Sequence, residues 1–286
     1  MSGDPSLAVV VVNYNAGRHL LACLRSVREA AGDAGVEIVV VDNASRDGSA
    51  DRAEREFEDA RVIRNRSNRG FAAAANQGIA ATTAPYVFLL NPDAEITEGT
   101  LSGLVKVADE RPGVAAFGVL VRDTAGKLYP SARKVPGLGV GLGHAFLGLV
   151  RPDNRFSREY TMADWDRTTE REVEWVSGSA MLLRRAALGP TGPFDEGYFM
   201  YVEDVDLCTR LRRRGWRVLF TPEVEVVHVG GVSTARSRRM FFEHAKSASR
   251  YFDRHRSPGA LALLRPFVRA ALWTRAWLAA RKLGAR

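Results

Sequence analysis

Three acidic positions stand out by residue type and by the company they keep. Asp93 sits in LLNPDAEI (residues 89–96), directly after an apolar run, and Glu203 and Asp204 sit far downstream in FMYVEDVDLCTRLRRRGW (199–216). A lone carboxylate at the end of a buried strand can hold Mg²⁺ or Mn²⁺, because hard cations take oxygen ligands and need few from protein when phosphates supply the rest. The aromatic run Tyr198-Phe199-Met200-Tyr201 before Glu203 can desolvate a carboxylate, which raises its pKa toward that of a useful base. Together they suggest chemistry in which a hydroxyl attacks an anomeric carbon and a metal-bound nucleoside diphosphate departs. Each position also has a plainer role open to it. Asp93 could cap a helix expected to begin near Thr97, and Glu203, Asp204 and Asp206 could complement the dipole at a helix start.

Lesser candidates surround these. His228, in VVHVGGVS (226–233), is either a structural histidine after a strand or a supplementary imidazole ligand to the same cation. Asp42 closes a strand in DNASRDGS (42–49), where it could accept a hydrogen bond from a pyrimidine N3–H or a ribose hydroxyl; the same letters are ordinary turn formers. Asn68-Arg69-Gly70-Phe71 opens an Ala-rich helix, where free backbone N–H groups and Arg69 could face an anion or simply start the helix.

The elements that must position these residues are legible from periodicity. LAVVVV (7–12), EIVVVD (37–42), RVIRN (61–65) and YVFLLN (86–91) read as strands. HLLACLRSVREAA (19–31), residues 49–57, FAAAANQGIAATT (71–83) and residues 97–109 read as helices. This alternation predicts an α/β fold with a doubly wound, mostly parallel sheet, whose ligands bind at the carboxyl ends of the strands. Those ends hold Asn13-Tyr14-Asn15, Asp42-Asn43, Asn65 and Asn91-Pro92-Asp93. Residues 114–123 read as a strand, 130–172 as a long loop or small subdomain, 174–188 as a strand turning into a short helix, 204–214 as a helix, and 216–231 as two further strands. There is no internal repeat.

The chain has 286 residues, 46% of them hydrophobic and 26% charged, enough for one large domain with an appendage. Its formal charge of +8 is unevenly spread: residues 236–286 carry 13 Lys/Arg against 2 Asp/Glu, so the remainder is slightly acidic. The tail, and not the body, is thus the part suited to an anionic surface. Within it Leu261, Leu264, Val268 and Leu272 fall on one helical face, interrupted by Arg275, with Phe267, Trp273 and Trp277 nearby. Such a basic, aromatic helix suits a membrane surface, or packs back on the body, or makes a homo-oligomer contact. Two cysteines at unrelated positions, Cys23 and Cys208, build neither a disulfide framework nor a zinc site, which points to a reducing compartment. No leader peptide is visible and no uncharged apolar run reaches the length of a membrane span, so the expected location is cytoplasmic, peripheral on the inner face of the membrane. A dehydrogenase is disfavoured because no GxGxxG follows a strand. A nucleotidyltransferase is disfavoured because NYNAGRHL replaces the Gly-rich basic loop it needs. A nucleic-acid binder is disfavoured by the acidic body.

The set NYN, DNASRDGS, NRGFAAAANQG, LLNPDAEI, WVSGSAMLLRR, GPFDEGYFMYVEDVDLCTRLRRRGW and HVGG, in this order over roughly residues 7–235, resembles the family 2 glycosyltransferases of the GT-A fold. LYPSARKVPG (128–137) with FDEGYFMYVEDVDL is similar to bacterial rhamnosyltransferases within that family. The resemblance implies a GT-A domain over 1–235, a basic helical segment over 236–286, and inverting transfer from a nucleotide sugar. The implied donor is dTDP-β-L-rhamnose; galactofuranosyl and other hexosyl transferases share the motifs. The implied acceptor is a lipid-linked GlcNAc-diphosphate or a polysaccharide of the cell wall or cell surface. By the same resemblance Asp42 binds the nucleoside, with Asn13, Tyr14, Asn15, Asn43, Asn65, Arg69, Gly70 and Asn76 around the nucleotide sugar. Asn91 replaces the first Asp of the usual DXD motif, Asp93 and His228 hold Mg²⁺ or Mn²⁺, Asp204 is the base with Glu203 in support, and Trp175, Ser177, Gly178 and Ser179 face the acceptor.

Overall fold

The computed structural model describes residues 5–189, 192–230, 237–256 and 259–284. Its first part alternates strictly: β1 (Leu7–Asn13), α1 (His19–Glu29), β2 (Val36–Asp42), α2 (Ser49–Glu56), β3 (Arg61–Arg64), α3 (Phe71–Ala80) and β4 (Tyr86–Leu90). There follow β5 (Ala94–Glu98), α4 (Leu101–Asp109), β6 (Val114–Arg122), β7 (Ala132–Arg133), α5 (Leu138–Leu147), α6 (Arg155–Thr161), β8 (Arg171–Glu172), β9 (Trp175–Val176) and β10 (Ala180–Arg184). The chain ends with α7 (Glu203–Arg213), β11 (Arg217–His228), α8 (Arg238–Tyr251) and α9 (Arg265–Gly284).

The sheet runs β3-β2-β1-β4-β10-β6-β11-β5, with β8 joining β11. β3, β2, β1, β4, β6 and β11 share one direction, and β10, β5 and β8 oppose it. β1 is buried along its whole length, as an unbroken Val run requires when helices cover both faces of a sheet. One apolar layer joins Leu20, Leu24, Phe88, Leu101, Leu104 and Phe117; the other joins Ala72, Ala75, Leu183, Leu207, Leu211 and Phe220. The Ala-rich α3 lies so close to the sheet that a Cβ on Gly78 would meet Val10 Cγ1 at 2.4 Å. Every apolar side chain here is out of water, and truncating one such Leu or Phe to Ala costs about 2–5 kcal/mol.

Several elements differ from the sequence reading. Residues 94–98 form β5, so Thr97 and Glu98 end a strand instead of opening a helix, because β11 offers them an antiparallel partner (His228 opposite Ala94). The following helix starts at Leu101 and is capped by Thr100, whose Oγ1 accepts from Gly103 N at 3.0 Å, so Asp93 is not its cap. Residues 217–228 are one long strand with an irregularity between Phe220 and Glu225, not two strands. Residues 130–172 hold β7, α5, α6 and β8, and residues 175–188 form β9, a turn, β10 and a 3₁₀ turn. The boundary expected at 235/236 and Gly231 of HVGG lie outside the described residues.

The basic tail is tied to the body at its start. Tyr251 Oη lies 2.9 Å from Thr209 Oγ1, Ser247 Oγ donates to Met200 O at 2.8 Å, and His255 Nε2 meets Asp206 Oδ1 at 2.6 Å. Further along, α9 leans on α5 through Arg275 Nε to Ala145 O and Lys282 Nζ to Leu149 O, both 2.8 Å. Val268 and Ala276 are buried, whereas Leu263, Phe267, Trp273 and Trp277 are exposed. The face expected from Leu261, Leu264, Val268 and Leu272 is therefore split: only Val268 of the four is buried, and Leu261 and Leu264 precede α9 in a 3₁₀ turn. Among the described residues no helix is long and apolar enough to cross a membrane.

Candidate active site

Strand direction brings the chemistry to one edge of the sheet. The carboxyl ends of β1, β2, β4 and β11 lie there with the amino end of β10, since Asn13 pairs with Asp42 and Leu90 with Ala180. A cleft of about 560 Å³ opens at this edge and is lined by Tyr14, Asn43, Asn91, Asp93, Trp175, Ser177, Gly178, Ser179, Glu203, Asp204 and His228, among others.

On the first half of the sheet, polar side chains build a rigid frame. Asn13 Nδ2 donates to Asp42 Oδ1 (2.8 Å), Ser45 Oγ (3.1 Å) and Ser49 Oγ (2.8 Å), and Asp42 Oδ2 accepts from Ser45 N (3.2 Å). Asn15, at φ 52°, donates its N–H to Ser45 Oγ and accepts from Arg46 N. Asn43 bridges the next loop: Oδ1 accepts from Asn65 Nδ2 and Arg69 N, and Nδ2 donates to Asn68 Oδ1 and Gly70 O. Gly70 has φ +83°, and a Cβ there would sit 2.4 Å from Phe199 O, which also accepts from Phe71 N at 2.7 Å. Only glycine fits both demands. Tyr14 and Asn43 thus face the cleft, while Asn13, Asn15, Asp42 and Asn65 stand behind them and hold the loops.

Two of the expected nucleotide-sugar residues are placed elsewhere. Asn76 is buried, and its amide is committed to Phe194, donating to its carbonyl (2.9 Å) and accepting from its N–H (3.0 Å). It fixes the segment leading to α7 and does not line the cleft. Arg69 is half-exposed and turns to Glu196, 3.7 Å away.

Asp93 and His228 meet across the β4 and β11 ends, Oδ1 to Nε2 at 3.1 Å, and Asn91 Nδ2 lies 3.1 Å from the same Nε2. One Nε2 cannot both accept from the amide and donate to the carboxylate. A neutral Nε2 carries one in-plane lone pair, which either the Asn91 amide or a cation can take; with the amide displaced, that lone pair and the Asp93 oxygen stand at the spacing of neighbouring ligands on an octahedral cation, roughly 3 Å for metal–ligand distances near 2.1 Å. The pair therefore fits a divalent cation. Among the described residues no third His, Cys, Asp or Glu joins it, which suits an ion that completes its shell from phosphate oxygens and water. Asn91 contributes a neutral amide beside Nε2 and no second carboxylate.

Across the cleft, α7 begins after Tyr201 (φ 67°) and Val202 (φ 69°). A β-branched residue in the left-handed region is strained, and such strain persists only where surrounding packing over-determines it. The bend delivers Glu203 and Asp204 together. Asp204 Oδ2 accepts from Gly178 N at 3.1 Å and Oδ1 from Val205 N at 2.8 Å, while the side chain stays partly open to the cleft. Glu203 is buried, and its Oε2 has no hydrogen-bond partner among the described residues. Burial pushes Glu203 well above the usual carboxylate range, and the neighbouring Asp204 charge adds to this. Burial raises Asp204 too, opposed by the Gly178 and Val205 N–H groups and by Arg133. Of the two, Glu203 is the harder to ionise, since it lacks the N–H donors that hold Asp204.

The remaining wall was not found by sequence reasoning. Tyr129, Arg133, Tyr160, Met200, Tyr201 and His244 line the cleft beside Trp175. They come from four separate segments with no shared period; LYPSARKVPG carried a signal only as part of a resemblance, and Met200 and Tyr201 only as part of the aromatic run before Glu203. Trp175 itself is buried with Nε1 donating to Lys134 O at 3.0 Å, so its ring edge and not its N–H serves the cleft.

A carboxylate–imidazole pair suited to a metal-held diphosphate, facing a shielded carboxylate base across one cleft of an α/β sheet, defines an enzyme that transfers a group from a nucleotide donor to a hydroxyl. The glycosyl transferase family 2 model matches residues 8–189, and the chain belongs to that family of glycosyltransferases. It is 37% identical over 262 residues to the N-acetylglucosaminyl-diphospho-decaprenol L-rhamnosyltransferase of Mycobacterium tuberculosis, covering 87% of this chain and 85% of that one. It is 32% identical over 177 residues to the rhamnosyltransferase WbbL of Escherichia coli, covering 60% and 62% of the two chains. Among solved structures, the fold matches the mannosyltransferase PcManGT from Pyrobaculum calidifontis in complex with GDP-Man and Mn²⁺, with TM-score 0.59 and 19% identity over 98% of this chain and 76% of that one. It also matches S. aureus TarS, with TM-score 0.55 and 15% identity over 98% and 91%.

Proposed function

We propose that this glycosyltransferase moves L-rhamnose from dTDP-β-L-rhamnose to a lipid-linked GlcNAc-diphosphate, with inversion, in cell-wall or cell-surface glycan synthesis. The observation that carries this reading is the 37% identity over 87% of the chain to an enzyme of that activity, in a molecule whose Asp93–His228 pair and Asp204 open into one cleft. Asp204 accepts the proton of the attacking hydroxyl; the Gly178 N–H holds its Oδ2, and the protonated Glu203 beside it keeps the pair from carrying two charges. Asp93 and His228 would hold Mg²⁺ or Mn²⁺, which when bound neutralises the charge developing on the departing nucleoside diphosphate. Tyr14 and Asn43, backed by Asn13 and Asp42, frame the nucleoside end, and Trp175 with the turn 177–179 frames the acceptor.

The test is a panel of nucleotide sugars with a GlcNAc-diphospho-lipid acceptor: rhamnosyl transfer is expected, and preference for a galactofuranosyl or glucosyl donor would overturn the donor assignment. A peripheral seat on the inner face of the membrane belongs to the same reading, supported by the exposed Phe267, Trp273 and Trp277 of the basic tail. Replacing these three by Ser should reduce flotation with anionic liposomes; equal flotation would refute the membrane contact and leave a homo-oligomer contact to be sought by light scattering.

A further inference from the structure

Arg133 is the least expected side chain of the cleft. Its guanidinium carbon lies 5.6, 5.3 and 5.0 Å from the ring centres of Tyr129, Tyr160 and Trp175. Nε donates to Pro130 O at 2.5 Å, but the two outer nitrogens reach only the Tyr160 and Tyr129 hydroxyls, each at 3.4 Å. Among the described residues no carboxylate lies within ion-pair distance of it. Holding a guanidinium half-buried among aromatic rings, with Asp204 acting on it only from beyond ion-pair distance, is costly unless an anion contacts it. The rings fix the planar fork and leave its outer N–H groups for a bidentate oxyanion.

The surroundings extend this positive character in one direction. His144 of α5 stacks on Tyr160, with ring centres 4.7 Å apart, and is bonded to Ser157 Oγ, not to an acid. His244 of α8 lines the cleft against the Tyr201 ring. Arg275 of α9 reaches the carbonyl of Ala145, the residue after His144. Burial, Arg275 and Arg133 push both imidazoles down to about 4, so in the empty cleft they stay neutral and the two arginines carry the charge. The Tyr129 ring neighbours both sites, 5.6 Å from the Arg133 guanidinium carbon and 6.2 Å from the His228 ring. His144, His244 and Arg275 place the rest of the cationic region on α5, α8 and α9, where Leu147, Trp273 and Trp277 are exposed.

We propose that Arg133, in its cage of Tyr129, Tyr160 and Trp175, is the subsite for the diphosphate that joins the acceptor sugar to its lipid. The proposal rests on the diphosphate-linked acceptor of the proposed function. The donor diphosphate is the alternative source of the same chemistry, and the affinity of the variants for dTDP separates the two. With the acceptor diphosphate on Arg133, the sugar it carries lies beside Asp204 and the lipid departs along the α5–α9 side.

Farnesyl diphosphate, titrated calorimetrically into the full chain saturated with dTDP and Mg²⁺, tests this without any sugar transfer. The wild type should bind it, and Arg133→Met should weaken binding by on the order of tenfold or more, the value of a lost charge-assisted contact. The affinity of the same variant for dTDP, measured separately, should stay within about twofold, which also reports that it is folded. Arg133→Lys, which keeps charge but not the fork, should fall between; if Arg133→Met does not fold, unchanged farnesyl diphosphate affinity in Arg133→Lys overturns the proposal. So does wild-type-like binding by Arg133→Met, an equal loss of dTDP affinity (which would move Arg133 to the donor), an equal loss with farnesol, or a wild type that binds dTDP and not farnesyl diphosphate. Failure of the wild type to transfer rhamnose would refute the proposed donor and leave this binding result standing.

Discussion

Asp204 and Asp206 belong to the same first turn of α7, yet the two sides of that helix treat a carboxylate in opposite ways. On the core side Asp206 is fully buried, but Arg210 Nε donates to it at 2.6 Å, His255 Nε2 at 2.6 Å and Tyr198 Oη at 3.3 Å. Burial alone would raise its pKa; the His255 hydrogen bond and the Arg210 charge outweigh burial and hold it below the usual value. On the cleft side Asp204 has two backbone N–H groups and no cation in contact, and burial prevails. The difference teaches that burial does not assign a carboxylate its task. The partners do: one aspartate is spent on tying the tail to the body, and the other is left basic enough to take a proton.

The sharpest way to break this contrast is Asp204→Asn. We expect kcat to fall by about 10³-fold with dTDP affinity retained, since loss of a general base costs roughly 10²–10⁴-fold; near-normal turnover would show that Asp204 is not the base. Asp206→Ala should act on stability instead. It leaves Arg210 without its counter-ion and His255 without a hydrogen-bond partner, which costs about 3–5 kcal/mol, read as a lower denaturation midpoint with kcat of the folded fraction preserved. A kinetic defect at unchanged stability would erase the distinction between the two sides. Asp93→Asn should reduce turnover by roughly a hundredfold, as expected when a metal loses a charged ligand, and excess chelator should silence the wild type until Mg²⁺ or Mn²⁺ is restored. Full activity in chelator would remove the metal role of Asp93.

The pH dependence should also split. Asp206 titrates lower in the folded chain than in the unfolded one, so its stabilisation is present above the ordinary aspartate range and is lost as pH falls through its folded pKa. Comparing melting of the wild type and Asp206→Asn across acid pH checks this; parallel curves would contradict it. Asp204 titrates higher, so the acid limb of kcat/KM should lie above the ordinary carboxylate range, with activity lost as pH falls through it. The smallest effect is expected of Glu203→Gln. If Glu203 works in its protonated form, the amide replaces it with little change, within about threefold in kcat, because an isosteric neutral group keeps the local charge balance; a large loss would show that Glu203 must ionise.

Much of this was legible beforehand, for reasons that differ by region. The unbroken valines of β1 and β2 and the polar residues at their ends could be read because a buried parallel strand and its carboxyl edge are local patterns. The Thr97 helix start was misjudged because residues 94–98 take their conformation from β11, far away in the chain. Asn76 was misplaced for a similar reason: its partner is Phe194, and nothing near Asn76 in sequence announces it. Trp175 was singled out, but its grouping with Arg133, Tyr129 and Tyr160 was missed, since they converge from β9, β7, α6 and the loop between β6 and β7 with no common spacing.

The sequence by itself determined the α/β alternation, the family, and which carboxylates stand at strand and helix ends, because each of these is encoded in the period or order of neighbouring residues. Only the tertiary structure decided what those carboxylates do. It brought His228 to Asp93, turned Asp206 to Arg210 and His255, left Asp204 to two backbone N–H groups, and set an arginine among aromatic rings in the same cleft. Proton affinity and ion binding depend on the distance and burial of partners remote in the chain, and these exist only once the sheet has assembled.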